Sequence, residues 1–186
     1  MSDAAPYSSM RQALRRAFQQ VGKEDAVIRT IDPSTVDPSM LFDHADRARS
    51  EMTSLDWAAE DGLTHRIIRD CLGGVTDPRY LALKAKYCEY MEHRQEAMLS
   101  LASRCRSSTL RPLQRKAVVA MWAMGLKVSY TMIDEGNGNA KSTIQKRIDG
   151  VRKQLRQWHD AGWEHAQRTL ILTGKLSAET VLTEKA

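Results

Sequence analysis

At 186 residues and 21.0 kDa, with 42% hydrophobic and 27% charged side chains, the chain can bury a core of its own, which excludes both a disulfide-stapled miniprotein and wholesale disorder. Ala, Leu and Met total 47 residues against 17 for Val plus Ile and 11 aromatics, so the apolar content is made of helix formers and an all-α fold is expected. The net charge of +5 is uneven: residues 104–156 hold twelve Lys or Arg against Asp134, Glu135 and Asp149, and such a localised basic block points to a polyanion.

The first helix is expected over 7–29, capped by Ser8 or Ser9, with Met10, Leu14, Ala17, Phe18, Val21 and Ile28 near one face. Pro33 and Pro38 interrupt it, because proline removes a backbone donor and disfavours helical geometry in its predecessor. A second helix is expected from Ser39 to about Met52. A third follows from Ser54 with Leu55, Trp57, Ala58, Ile67, Ile68 and Leu72, and ends at Gly73-Gly74. Asp77-Pro78 has the form of a cap followed by proline at the first helical position, and nothing after it forces a break before Ala102. Along that stretch Tyr80, Leu83, Tyr87, Met91, Met98 and Leu101 keep helical register and read as core. A polar loop over 103–111 precedes a helix opened by Pro112 and closed at Gly125. The last ten or so residues read as a frayed tail.

The block over 113–157 carries the functional signal. A short helix near 128–135 is joined by the turn Gly136-Asn137-Gly138-Asn139 to a long helix starting near Ala140; glycine and asparagine tolerate left-handed backbone, and Asn139 suits an N-cap. In the long helix Ile144, Ile148, Val151, Leu155 and Trp158 recur at steps of four, three, four and three, forming one apolar stripe. Lys, Arg, Gln, Ser and Thr occupy the other faces near its N-terminal end. A helix beyond a sharp turn, anchored by one stripe and polar elsewhere, suits the major groove of DNA, and the spacing of eleven between Ile133 and Ile144 is what a helix-turn-helix needs to pack its two helices.

Competing chemistries fit poorly. GNGNAKST has the flavour of a phosphate-binding P-loop, but Ala140 stands where glycine must precede the lysine and Glu135 where the first glycine belongs. His159 and His165 lie six apart, about 240° around a helix, so they cannot share a metal, and they read as surface or boundary residues. Glu89, Glu92 and Glu96 form a solvated charged face. Cys71, Cys88 and Cys105 are odd in number, widely spaced and outside any CxxC pair, which suits reduced thiols and no zinc. No apolar run approaches the roughly 18 residues of a membrane span, and the N-terminus carries charge where a signal peptide is apolar, so a cytoplasmic protein without membrane contact is expected. The chain does not read as an enzyme, and no cofactor or metal is implied.

The segment 113–157 resembles the trihelical C-terminal DNA-binding region of sigma factors and related helix-turn-helix regulators, over about a quarter of the chain, most closely in STIQKRI followed by VRKQLR. It departs from that pattern at Asp134, Asn137 and Asn139. The tract Ser142-Thr143-Ile144-Gln145-Lys146-Arg147-Ile148 also resembles the phage late-gene antitermination proteins of the Q type, in their zinc-free branch. The resemblance implies a phage or prophage transcription regulator that binds duplex DNA and contacts RNA polymerase or a sigma factor. Lys141, Ser142, Gln145 and Lys146 are expected in the groove, and Thr143, Arg147, Arg152 and Lys153 on the phosphate backbone. The alternatives are a small subunit of a phage DNA-packaging ring and a helical adaptor that holds a protein partner through residues 158–172; oligomeric state is left open. The expected architecture is a helical bundle with a helix-turn-helix in its C-terminal half. It comprises an N-terminal helix over 1–30, a linker over 31–38, a bundle over 39–103, the DNA-binding region with its long helix over 112–176 and a tail over 177–186.

Overall fold

The computed structural model describes residues 5–21, 52–105, 110–128, 133 and 141–178. Among these the protein is all-α, 75% helical, with six helices and no strand. They are α1 (Met10–Gln19), α2 (Ser54–Cys71), α3 (Pro78–Tyr87), α4 (Met91–Arg104), α5 (Pro112–Ala123) and α6 (Lys141–Leu172). The chain groups into two compact units, one of residues 1–71 with 166–186 and one of residues 72–165. The expected linker over 31–38, the helix from Ser39, the turn over 136–139 and most of the short helix near 128–135 lie outside the described residues.

In the first unit α1 packs on α2. Ser9 caps α1, its side chain accepting from Gln12 N at 3.0 Å, and Met10, Ala13, Leu14, Ala17 and Phe18 are fully buried. Burial of Met10, Leu14 and Phe18 contributes about 1.5–3 kcal/mol each. The helix is shorter than its periodicity suggests. It stops at Gln19, where Gln20 N turns back to Ala17 O at 3.2 Å immediately before Val21 and Gly22.

The buried face of α2 also differs from the expectation. Leu55 is exposed, whereas Asp56, Asp61, Thr64 and His65 are buried beside Ile68. These polar groups go inside because they are satisfied there. Asp61 accepts from Arg16 Nε and Nη2 at 3.0–3.1 Å and from the Tyr7 hydroxyl at 3.0 Å, while Arg16 stacks 4.1 Å over the Trp57 ring. Burial pushes the Tyr7 hydroxyl far above the usual tyrosine range, so it remains a donor. His65 meets Phe18 edge-on at 5.8 Å. A parallel bridge joins Tyr7 to Leu176, and Lys175 pairs with Glu60 at 2.9 Å.

The second unit has the larger core. Asp77 caps α3 by accepting from Arg79 N at 2.8 Å, with Pro78 opening the helix. Burial pushes the Asp77 carboxyl up, but its bonds to Arg79 outweigh this and hold it below the usual carboxylate range. The expected continuous helix over 78–102 is instead two, broken at Cys88, Glu89 and Tyr90, with α4 folded back along α3. The cause is tertiary. Arg94 donates from Nε to Ala85 O and from Nη2 to Ala123 O, both at 2.8 Å, so one guanidinium satisfies terminal carbonyls of both α3 and α5. Lys84 reaches Glu96 at 3.0 Å across the same hairpin.

The break removes Met91 from the expected core stripe: it is exposed, whereas Tyr80, Leu83 and Leu101 are buried. Helix α5 begins at Pro112 as expected and ends in a Schellman turn, Leu126 N to Met121 O at 2.8 Å and Gly125 N to Trp122 O at 3.1 Å. Gly125 supplies the required positive φ of 74°. The apolar stripe of α6 completes the core, with Ile144, Ile148, Val151 and Leu155 buried among Leu81, Leu101, Val118, Val119 and Trp122. Trp158 packs against the same cluster and is half-buried. Gly162 brings α6 close to α3, for a Cβ there would stand 3.0 Å from Arg79 O.

Candidate nucleic-acid interface

Helix α6 runs 32 residues, from Lys141 to Leu172, and its first half carries every residue expected to touch DNA. At about 100° per residue the stripe Ile144, Ile148, Val151 and Leu155 occupies one side, and this side is the buried one. Opposite it stand Ser142, Lys146 and Lys153, all exposed. Lys141, Gln145, Arg152 and Arg156 fall on one flank, with Thr143 and Arg147 on the other. Lys141 and Arg156 are exposed; Gln145, Arg152, Thr143 and Arg147 are half-buried.

Two features modify the set drawn from the sequence. Gln145 donates from Nε2 to Asp149 Oδ1 at 3.1 Å, so one of its two amide N–H groups is engaged on its own helix. Asp149 is exposed near the middle of the outward face and lowers the local positive potential between Lys146 and Lys153. Ile133 is 1% exposed and belongs to the same buried cluster as Ile144, and its carbonyl accepts from Gln114 Nε2 at 2.8 Å. The two apolar anchors singled out by their spacing of eleven thus share one core.

Farther along α6, His165 is exposed and His159 is half-buried, a boundary residue as expected, with its ring turned to an aromatic cluster. Its ring lies 6.0 Å from that of Tyr87, 5.9 Å from Trp163 and 6.2 Å from Trp122. Nε2 is 3.2 Å from the Tyr87 hydroxyl and Nδ1 is 2.8 Å from Asp160 Oδ1. Burial holds its pKa below the usual histidine value, with Lys86 adding to the effect and Asp160 opposing it. Sequence reasoning missed the grouping of Lys86, Trp122, Arg152, Arg156 and His159. Part of the signal was present, since 152, 156 and 159 recur at steps of four and three.

The three cysteines are free thiols. Burial pushes the Cys88 thiol up and Cys105 up to about 11, which favours the thiol over the thiolate at both. Among the described residues no His, Cys, Asp or Glu side chains gather as a metal ion would need, and no helix is long and apolar enough to cross a membrane. Comparison with protein-family models, with curated proteins and with solved structures found no match.

Proposed function

We propose that the protein is a sequence-specific duplex-DNA-binding transcription regulator that presents the first turns of α6 to the major groove. The observation that carries this reading is the division of α6 into a buried apolar side and an outward side bearing Ser142, Lys146 and Lys153, flanked by Lys141 and Gln145. A helix held by four buried side chains keeps its polar face in register with a duplex, which a loosely held basic helix does not. The resemblance to sigma-factor helix-turn-helix regions, and to Q-type antitermination proteins, adds a phage setting and RNA polymerase as second partner to this proposal.

The adaptor alternative loses support, because the segment it needs is used internally: Ala166 and Leu170 are buried and Trp163 packs with Tyr87 and His159. Fluorescence anisotropy with a footprinted site and with random duplex tests the proposal. Gln145→Ala and Lys146→Ala should each cost about 1–3 kcal/mol of preference for the site. Lys153→Ala should weaken both duplexes alike and lower the slope of log affinity against log salt by about 0.9. Broad binding with no preferred site would favour the packaging-subunit reading. A wild type that binds no duplex at low salt ends the DNA reading altogether.

A further inference from the structure

A cleft of about 340 Å³ opens in the second unit beside the end of α5, lined by Lys86, Trp122, Arg152, Arg156, His159 and Asp160, with Gly125 and Leu126 at its edge. Three cations face one carboxylate there, and that carboxylate, Asp160, is already engaged by His159 Nδ1 at 2.8 Å. The Lys86 ammonium lies 4.9 Å over the Trp122 ring, which fixes it at the wall. Arg152 is the unusual member. Its Nε is out of solvent and has no hydrogen-bond partner among the described residues, an arrangement that costs free energy unless an acceptor is supplied. Arg156 stands one helical turn further on the same flank of α6, and both arginines line the same opening.

We infer that this cleft is a phosphate-binding site in which Arg152 and Arg156 hold the anion and Lys86 balances its charge. Guanidinium groups present paired N–H donors that match phosphate oxygens, and two of them line this one cleft. The volume is at the lower end of small-molecule sites and exceeds one phosphate group, so a diphosphate or a phosphate with part of its ester fits. Two sources carry this chemistry: a free phosphorylated small molecule, and the phosphodiester backbone of nucleic acid. Arg156 lies eleven residues, or about 16 Å along the helix, beyond Gln145. Arg152 is shared with the phosphate contacts expected from the sequence, but Arg156 and Lys86 are not, so the anion seat stands whether or not the first turns of α6 enter a groove.

Inorganic pyrophosphate, titrated at low salt while tryptophan fluorescence is followed, tests the small-molecule source; Trp122→Phe identifies the reporting ring. Saturable binding is expected, at least tenfold weaker in Arg152→Gln and in Arg156→Gln and unchanged in Lys153→Gln, which removes an equal charge from the outward face. Arg156 is exposed, so its variant keeps the test decisive if Arg152→Gln fails to fold. In the second arm, random duplex DNA replaces pyrophosphate. Loss of duplex affinity greater for Arg156→Gln than for Lys153→Gln, without pyrophosphate binding, assigns the seat to the nucleic-acid backbone. If pyrophosphate does not bind, and duplex affinity either is absent or responds no more to Arg152 and Arg156 than to Lys153, the inference is overturned. Failure of the groove reading alone shows separately, as insensitivity to Gln145→Ala and Lys146→Ala with the pyrophosphate response intact.

Discussion

Helix α6 contains two interior glycines whose replacement by alanine should have opposite outcomes. Alanine is favoured over glycine in a helix by about 1 kcal/mol, because glycine loses more backbone freedom on folding. At Gly150 a Cβ would meet nothing within 4 Å, so Gly150→Ala should gain most of that amount. At Gly162 the same atom would stand 3.0 Å from Arg79 O, 3.1 Å from Arg79 Cβ and 3.3 Å from Arg79 C. These are contacts with the first turn of α3, whose Pro78 and capped Asp77 leave it little room to shift. Overpacking of this kind costs about 1–3 kcal/mol, which cancels or exceeds the propensity gain. The two variants should therefore differ by about 1–3 kcal/mol, with Gly150→Ala the more stable. For a chain of this length that is about 2–12 °C in Tm, at roughly 2–4 °C per kcal/mol. Thermal unfolding followed by circular dichroism at 222 nm, an ordinary helix wavelength, reads the difference directly. Equal melting temperatures, or a Gly162→Ala variant that melts above Gly150→Ala, would refute the close approach of α6 to α3.

Removing the Asp61 carboxylate takes a shared acceptor from the partly exposed Arg16 and from the Tyr7 hydroxyl, which keeps Thr64, so Asp61→Ala should destabilise the protein by about 1–3 kcal/mol in urea unfolding. A loss below about 1 kcal/mol would show that the network is replaceable by water. Trp158 is half-buried against the core, so Trp158→Ala should cost less than the roughly 3–5 kcal/mol of a fully buried tryptophan; wild-type melting would mean that its ring contributes no packing. His159 is held below the usual histidine pKa of 6.5 chiefly by burial, so the unfolded chain takes up its proton first as pH falls. Its contribution to stability is intact above pH 6.5 and lost on acidification through 6.5 toward the folded value. The drop in Tm between pH 7.5 and 5.5 should accordingly be smaller in His159→Gln than in the wild type, and an equal drop would place the imidazole in water.

Local chemistry made much of this protein legible before its tertiary structure. Ser9, the Asp77-Pro78 pair, Pro112 and Gly125 act on their own backbone neighbours, so the helix ends they set need no distant partner. The stripe of Ile144, Ile148, Val151 and Leu155 is likewise a property of spacing alone, and it is buried as that spacing requires. The misreadings arose where a distant partner decides the outcome. No residue between Pro78 and Ala102 breaks a helix by itself; Arg94 makes the break favourable by satisfying carbonyls at Ala85 and Ala123, which no local pattern brings together. On α2, Asp61 and Thr64 are buried with hydrogen bonds from Tyr7 and Arg16, more than forty positions away, whereas Asp56 is satisfied locally by Thr53. The basic character of the block over 104–156 was visible in composition, but the seat formed by Arg152, Arg156 and Lys86 was not, since Lys86 joins the two arginines only when α3 and α6 pack in the same unit. Sequence by itself determined the helices, most of their caps and the side of α6 that is buried, because these follow from backbone conformation and periodicity. Which polar groups could be buried, where α3 gives way to α4, and which charges converge on a cleft were decided only by tertiary contacts, because hydrogen-bond satisfaction and electrostatic focusing depend on groups far apart in the chain.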